Sequence, residues 1–340
     1  MSANATLRRS VVLRRRPHGE PEASDFEVQE DQVPPPGPGE VVTRTIWLSI
    51  DPYMRGRLRE EQTYAVAIQI GEVMTGETVG EVIASNHPGF AVGDIAVGPR
   101  GWQTHCISKG DHLVKIERHA APLSAYLGVL GMPGATAYAG ITEICKPKAG
   151  ETVVVSAASG AVGSIAGQLA KRAGARVVGI AGGPEKCLWV QDMLGFDACV
   201  DHRAHDLRAE LRAECPDGID AYFENVGGAV QAAVFEQLNP FARVAMCGMV
   251  SQYNEQVFPP GPNLGFVVGK RVTIQGFIVS DRPERLTEWR MLAAPLIADG
   301  GLIYREDVHQ GLENAPDALV AILSGQNFGK LLVRIGPDPL

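Results

Sequence analysis

The chain has 340 residues, of which 45% are hydrophobic and 21% are charged, and its formal net charge is −8. This length predicts two domains, and the negative charge disfavours binding to nucleic acid or to an anionic membrane. The sequence has neither an apolar run of the roughly 20 residues needed to span a bilayer nor the apolar core of a signal peptide, so we expect a cytoplasmic protein.

Short strand-like runs dominate the chain up to about residue 121. Clusters of proline and glycine separate them, as in the run PPPGPG at 34–39. Strands at short intervals with such turns are typical of a β-barrel or sandwich-like domain. The clearest predicted strands are residues 8–13, 40–49, 77–84 and 112–116.

From about residue 127 the pattern changes to strands that alternate with helices. The run ETVVVSA at 151–157 is apolar and β-branched, as expected of a parallel strand that is buried on both faces. This alternation predicts an α/β domain with a doubly wound parallel sheet. Further strands are predicted at 176–181, 198–200, 220–224, 243–248 and 272–277, with helices at 162–173 and 185–194; a last helix at 317–324 and a strand at 329–335 are expected to return to the first domain.

A stretch of small residues follows the first of these parallel strands. Gly160 and Gly163 match the last two glycines of G-x-G-x-x-G, whereas Ala158 occupies the first position. At such a junction the backbone amides and the helix dipole face a pyrophosphate, so side chains must be small. Small residues also serve simple helix–strand packing, but the surrounding β-α-β pattern favours a dinucleotide site.

The end of the second parallel strand indicates which dinucleotide is bound. Sites for NAD usually place an acidic residue there to hold the ribose 2′-hydroxyl. Here the strand ends in Ala181-Gly182-Gly183, Glu185 comes late, and Lys186 follows it. A cation attracts a 2′-phosphate, so NADPH is the predicted cofactor. The alternative is that Lys186 is an exposed helix residue, as most lysines are.

The six cysteines include no C-x-x-C pair, so neither a disulfide framework nor a structural zinc site is expected. Cys199, His202 and His205 are spaced three apart, which is compatible with metal ligation. No fourth ligand is nearby, however, and a buried cysteine beside surface histidines is the favoured interpretation.

Several ordered motifs identify a resemblance. The chain resembles the medium-chain dehydrogenase/reductase family, in the branch of prostaglandin/leukotriene reductases and plant double-bond reductases, and it is most similar to bacterial NADPH-dependent curcumin reductases. The matching stretches are 51–57 (DPYMRGR), 131–138 (GMPGATAY), 157–163 (AASGAVG), 194–197 (LGFD), 224–228 (ENVGG), 247–254 (CGMVSQYN), 275–277 (QGF) and 327–330 (NFGK).

This resemblance implies a GroES-like domain at 1–126, completed by 309–340, and a Rossmann domain at 127–308, with the cofactor in the cleft between them. Lys186 would bind the 2′-phosphate, and Asn225 would lie on the adenine ribose or pyrophosphate side. His202 occupies a position where relatives often have tyrosine, which leaves its role open. The pyrophosphate would bind at Gly160, Ala161, Val162 and Gly163, and the nicotinamide with its ribose at Cys247, Gly248, Ser251, Tyr253, Phe277, Ile278, Val279 and Asn327.

The resemblance also implies that no metal takes part. Zinc-dependent relatives carry Gly-His-Glu, and Gly76 stands here where that histidine would be. Without a Lewis acid, interconversion of carbonyl and alcohol loses stabilisation. Reduction of a conjugated C=C bond is less demanding, because hydroxyl donors can stabilise the charge that develops on the carbonyl oxygen.

Tyrosines are the candidate donors. Tyr253 follows the carboxyl end of a parallel strand and is the first choice, either as this donor or to hold the nicotinamide ribose; Tyr53 and Tyr64 of the first domain come second. The alternative for each is an amphipathic tyrosine whose ring packs and whose hydroxyl meets water, and for Tyr64 that is at least equally favoured. Met132, the turn Pro133-Gly134 and Thr136 are candidate walls of the substrate pocket, with core packing as the alternative.

These features predict an NADPH-dependent reductase of α,β-unsaturated ketones and aldehydes. A quinone reductase of the same superfamily and a non-catalytic NADPH-binding protein are the alternatives. The strand predicted at 272–277 is also expected to pair across a two-fold axis in a homodimer, as in relatives.

Overall fold

The computed structural model describes residues 6–60, 66–203 and 206–339. The chain forms two compact units, the first made of residues 1–127, 306–327 and 331–340 and the second of residues 128–305 and 328–330. Tyr64 and His205, both considered above, lie outside the described residues. None of the helices described is both long and apolar enough to cross a membrane.

The first unit consists mainly of antiparallel strands. A seven-stranded sheet has the order β14-β15-β3-β4-β5-β7, with β6 also paired to β3, and β1 and β2 form a separate pair. Its elements are β1 (Thr6–Leu13), β2 (Phe26–Val33), β3 (Glu40–Ser49), α1 (Met54–Arg57), β4 (Glu77–Ser85), β5 (Ile95–Pro99), β6 (His105–Lys109), β7 (Val114–Ile116), β14 (Glu306–Gln310), α9 (Ala315–Leu323) and β15 (Lys330–Arg334).

The core of this unit collects apolar side chains from distant parts of the chain. Leu48 of β3, Met54 of α1 and Trp102 are fully buried together with Val333 of β15. β15 comes near the end of the chain, and it joins this unit because it pairs antiparallel with β3, with Leu332 opposite Ser49. Burial of such side chains is the main stabilising contribution of this unit.

The second unit is built on a parallel sheet. Its first strand, β8 with the sequence TVVVS, is buried at all five positions, which explains why the strand lacks polar alternation. The elements are α2 (Met132–Ala139), a π-helix (Gly140–Cys145), β8 (Thr152–Ser156), α3 (Gly163–Arg172), β9 (Arg176–Ala181), α4 (Pro184–Asp192), β10 (Ala198–Asp201), α5 (Leu207–Glu214), β11 (Ile219–Glu224), α6 (Gly228–Glu236), β12 (Leu238–Met246), α7 (Gly265–Lys270), β13 (Thr273–Gly276) and α8 (Glu284–Ala298).

The strand order of this sheet is β10-β9-β8-β11-β12-β13, and all its pairs are parallel. Counted within the unit, the order is 3-2-1-4-5-6, that of a doubly wound Rossmann sheet, so the predicted fold class of this domain is confirmed. The order reverses between β8 and β11. In such sheets ligands bind at that point, outside the carboxyl ends of the strands.

One local interpretation from the sequence is wrong. Residues Pro133 and Gly134, interpreted as a turn, lie in the first turn of α2. Proline is tolerated there because the first helical amides have no partner within the helix. Gly134 is required because a Cβ would collide with the Val129 carbonyl oxygen and with Trp289 Nε1.

Candidate functional site

The turn between β8 and α3 lies at the point where the strand order reverses. Ala157 adopts a positive φ of 50°, and its carbonyl oxygen accepts a hydrogen bond from Gly160 N at 2.9 Å. A Cβ on Gly163 would collide with this carbonyl oxygen and would lie 3.1 Å from Ala158 Cα. Gly163 is therefore dictated by the close approach of the helix to the strand, the role of the third glycine in dinucleotide-binding turns.

The helix behind this turn presents backbone donors at its start. The first helical hydrogen bond runs from Ser164 N to the Gly160 carbonyl, at 3.1 Å. The amides of Ala161, Val162 and Gly163 precede that bond, and the first amides of a helix have no intrahelical acceptor. Together with the helix dipole they form an environment that favours an anion.

Three cationic or titratable side chains gather where β9 and β10 end. The ring of His202 and the guanidinium of Arg203 both reach Gly182, since a Cβ there would lie 2.8 Å from His202 Nε2 and 3.1 Å from Arg203 Nε. Partial burial, the charge of Arg203 and that of Lys186 in the first turn of α4 lower the pKa of His202, although Asp201 opposes this. Lys186, His202 and Arg203 are called the cation cluster below.

Arg203 is a member of this cluster that the sequence interpretation missed. It lies more than twenty residues beyond the end of β9, and only the parallel pairing of Ala181 with Asp201 places it beside Gly182. The place of Arg203 just after β10 could have indicated it, because residues that directly follow adjacent parallel strands meet at one edge of the sheet.

A carboxylate also lies at this edge, but it is engaged by the backbone. Asp201 Oδ1 accepts hydrogen bonds from Gly183 N at 2.8 Å and from Arg203 N at 2.9 Å. Partial burial works against ionisation of Asp201, yet these amides lower its pKa. Asp201 thus ties the backbone that precedes α4 to the backbone that follows β10, the two segments that position the cation cluster.

The carboxyl ends of β8 and β11 are joined by a buried network. Glu224 has no solvent exposure, and its Oε1 accepts hydrogen bonds from Ser156 Oγ at 3.0 Å and from the amides of Val226 and Gly227. Asn225 donates through Nδ2 to the Ser156 carbonyl at 2.7 Å. Asn225, predicted as a cofactor residue, is therefore held at the point of strand reversal, and Glu224 is a supporting group that the sequence did not single out.

The loop after β12 packs on this network. Val250 N donates to the Asn225 carbonyl at 3.1 Å, and the Ser251 hydroxyl donates to the Val226 carbonyl at 2.6 Å. The Tyr253 hydroxyl accepts a hydrogen bond from Met249 N at 3.4 Å. A Cβ on Gly248 would lie 3.0 Å from that hydroxyl, so a side chain there would press on the tyrosine. The structure thus brings Asn225, Gly248, Ser251 and Tyr253 together.

The remaining predicted cofactor residues of this unit flank the same strand ends. Burial and Glu224 raise the pKa of Cys247 to about 12, so its thiol is neutral near pH 7. Phe277 follows β13 and packs edge to face on Phe223, with ring centroids 6.3 Å apart. Ile278 is partly exposed, and Val279 begins a short 3₁₀ helix, Val279–Asp281.

The candidate substrate residues occupy different elements. Tyr53, in the first unit, directly precedes α1, and the guanidinium of Arg57 lies 5.6 Å from its ring centroid. In the second unit, Thr136 is buried and its hydroxyl donates to the Met132 carbonyl at 2.8 Å within α2. Pro133 is buried in the same helix, whereas Met132 is partly exposed.

Asn327 belongs to the first unit, two residues before Gly329. Gly329 forms a parallel bridge with Gly160. Gly160 lies in the turn of residues 157–163 between β8 and α3, which is called the glycine turn below. A Cβ on Gly329 would collide with the Arg305 carbonyl oxygen, and its φ of 93° also favours glycine. The segment Phe328–Lys330 therefore lies against the glycine turn within the second unit.

Within the three described stretches of chain, no group of three or more histidine, cysteine, aspartate or glutamate side chains is arranged to hold a metal ion. Gly76 is tightly packed, since a Cβ there would lie 2.8 Å from Leu48 Cδ1 and 3.0 Å from Trp102 Cδ1. A side chain at position 76 would therefore displace Leu48 or Trp102.

Comparisons with known proteins agree with this architecture. A family model described as the N-terminal domain of oxidoreductase matches residues 9–116, and one described as zinc-binding dehydrogenase matches residues 161–296. The fold and the matched domains define an oxidoreductase with a GroES-like domain and a Rossmann domain. More particularly, the chain belongs to the medium-chain dehydrogenase/reductase family, in its branch of double-bond reductases.

Three relatives indicate how specific the match is. NADPH-dependent curcumin reductase from Escherichia coli strain K12 is 48% identical, with 97% of each chain covered. The 2-alkenal reductase (NADP(+)-dependent) from Nicotiana tabacum is 42% identical, with 99% of this chain and 100% of the relative covered. The crystal structure of CurA in complex with NADPH from Vibrio vulnificus is 46% identical, covers 97% of this chain and 99% of its own, and superposes with a TM-score of 0.93.

Proposed function

We propose that this protein reduces the C=C bond of α,β-unsaturated ketones and aldehydes with NADPH. The observation that carries the proposal is the cation cluster at the ends of β9 and β10, beside a glycine turn of dinucleotide-binding type. The names of the relatives supply the reaction class, since they include a curcumin reductase and a 2-alkenal reductase that use NADPH or NADP⁺.

The glycine turn fits the pyrophosphate of such a cofactor. Gly163 lets the start of α3 lie close against the end of β8, so the first amides of the helix lie at the carboxyl end of that strand. We assign the pyrophosphate to the turn from Gly160 to Gly163, with the amides of Ala161, Val162 and Gly163 as donors, because the start of α3 favours negative charge.

The cation cluster fits a 2′-phosphate. Lys186 and Arg203 carry fixed positive charge, and His202 gains a proton more readily once a phosphate dianion lies beside it. The nearby carboxylate of Asp201 is turned to the amides of Gly183 and Arg203, which reduces its repulsion of a phosphate. This arrangement favours NADPH over NADH.

NADPH, when bound, supplies the hydride that is added to the β-carbon of the substrate. The task of the protein is then to stabilise the negative charge that appears on the carbonyl oxygen. We assign this to the hydroxyl of Tyr253, because it lies in the loop that packs on the ends of β8 and β11 and a phenol can donate through its O–H. Tyr53 is proposed as a second donor.

Other side chains would shape the binding surfaces. We propose Met132 and Pro133 as substrate walls, with Tyr64 assigned from the sequence alone. Thr136 would present its methyl group, since its hydroxyl is bonded within α2. The nicotinamide and its ribose are assigned to Cys247, Gly248, Ser251, Phe277, Ile278, Val279 and Asn327, while Asn225 is assigned to the adenine ribose or pyrophosphate side.

The test is a panel of enones and enals incubated with the purified protein and either NADPH or NADH. We expect NADPH oxidation with a conjugated substrate, a saturated ketone or aldehyde as product, and much weaker use of NADH. An allylic alcohol with its double bond intact would contradict the reaction type. Inertness towards all enones together with turnover of quinones would favour the quinone reductase alternative instead.

We also propose a homodimer and a cytoplasmic location. β13 is the last strand in the order of the second unit's sheet, which leaves its outer edge available for pairing. The segment that precedes β13 along the chain also exposes large apolar side chains. These are Val257, Phe258 and Val268, which are 82%, 62% and 81% exposed. Light scattering on the pure protein tests the dimer, and a particle of 36.3 kDa would refute it.

A further inference from the structure

Two cysteines converge on the contact between α4 and β10. Cys199 of β10 is paired in register with Gly179 of β9, and a Cβ on Gly179 would lie 3.2 Å from Cys199 Sγ and 3.0 Å from Val190 Cγ1. Val190 lies one turn after Cys187 on α4, so Cys187 projects from the same helix face. The thiols of Cys187 and Cys199 both interact with the backbone amide of Ala181.

The two thiols also interact with each other. That interaction lowers the pKa of Cys187, against the effect of burial. The interaction with Cys187, followed by burial, raises the pKa of Cys199. The interaction therefore favours the Cys187 thiolate, and Cys199 is the partner held against it.

The remaining four cysteines lack this arrangement. Burial raises the pKa of Cys106, and it raises those of Cys145, Cys215 and Cys247 to about 12. Thiols of this kind are poor nucleophiles near neutral pH. Oxidation should therefore begin at the α4–β10 pair.

The pair borders the cation cluster along the chain. Lys186 directly precedes Cys187 in the first turn of α4, and His202 follows the last residue of the strand that carries Cys199. A covalent bond between these cysteines would join the two elements that position the cluster.

We propose that Cys187 and Cys199 form a reversible intramolecular disulfide, and that this bond weakens binding of the NADPH 2′-phosphate. With a hydroperoxide as oxidant, the Cys187 thiolate attacks the O–O bond and becomes a sulfenic acid while hydroxide leaves. Cys199 then attacks that sulfur, the S–S bond forms, and water leaves. In total, two thiols and one hydrogen peroxide give one disulfide and two waters, and a dithiol reverses the change.

The link to binding is geometric. A disulfide brings its sulfur atoms to about 2.05 Å, well inside the contact distance of two unbonded sulfurs. We expect formation of the bond to draw the first turn of α4 towards β10, and Lys186 to move with this turn. Only this second half of the proposal depends on the proposed function, because the disulfide itself forms whether or not NADPH is the cofactor.

The experiment treats the full-length protein with stoichiometric hydrogen peroxide and then maps cysteines by peptide mass spectrometry. We expect two of the six thiols to be lost, a peptide linked through Cys187 and Cys199, and recovery with dithiothreitol. The KM for NADPH should rise about fivefold or more on oxidation, the lower end of coupling between linked sites, with little change for NADH. The Cys199→Ser variant should show neither effect, whereas Cys215→Ser, a matched change elsewhere in the same unit, should show both.

The outcomes separate the two claims. Six intact thiols, or a linkage between other cysteines, would overturn the disulfide. The Cys187–Cys199 linkage with an unchanged KM for NADPH would overturn the regulation alone. A reduced protein that shows no preference for NADPH would refute the proposed cofactor assignment while the mapped linkage stood.

Discussion

Removal of Lys186 provides the sharpest test of the cofactor assignment. A hydrogen bond to a charged group contributes about 1.5–3 kcal/mol, and each 1.4 kcal/mol corresponds to a factor of ten. Lys186 is only half-buried, and His202 and Arg203 would remain at the site. We therefore expect the lower part of this range for Lys186→Ala, with the KM for NADPH raised about 10- to 30-fold.

The assay compares steady-state kinetics with NADPH and NADH at one enone concentration. NADH has no 2′-phosphate, so its KM should change by less than about twofold. Lys115→Ala is the control, since Lys115 is a surface lysine of β7 that pairs with Asp94 in the first unit. Arg203→Ala should act in the same direction but more weakly, because Arg203 is exposed. An equal rise for both cofactors in Lys186→Ala would refute the reasoning.

Three further expectations follow from the site. His202→Gln should impair NADPH binding more at pH 6 than at pH 8, because only the protonated ring attracts the phosphate and the lowered pKa of His202 leaves the ring neutral at pH 8. A ratio of KM values, variant over wild type, that does not change with pH would exclude that role. Gly163→Ala should destabilise the fold by about 1–3 kcal/mol through overpacking against Ala157, and an unchanged thermal midpoint would contradict this. Tyr253→Phe should lower kcat about 100-fold while circular dichroism stays the same, and an unaltered kcat would remove Tyr253 from the mechanism.

The parallel sheet was predictable because its strands carry their own signal. A strand buried on both faces needs a continuous apolar run, and β8 is such a run with five buried residues. The helices α2 and α8 gave a weaker signal. The first turn of α2 contains Pro133 and Gly134, a pair that resembles a turn in the sequence. α8 contains Pro295 and exposes Met291, so its apolar residues do not form a clear stripe.

The candidate site was predictable where a motif is local. Gly160 and Gly163 lie within one short segment, and a steric requirement accounts for Gly163. Arg203 and Glu224 could not be found in this way. Arg203 reaches Gly182 only through strand register, and the importance of Glu224 rests on amides and a hydroxyl supplied by separate segments. The predicted roles of the individual site residues stay predictions.

The bridge between Gly160 and Gly329 constrains the order in which the molecule can be assembled during synthesis. The ribosome delivers the glycine turn early, but the backbone that lies against it emerges only after residues 306–327 have been made. Trp189 and Arg305, which contact the ring of Phe328, must wait for the same segment. Maturation of the glycine turn is therefore a late event, and a nascent chain that stops at residue 305 would present this turn uncovered.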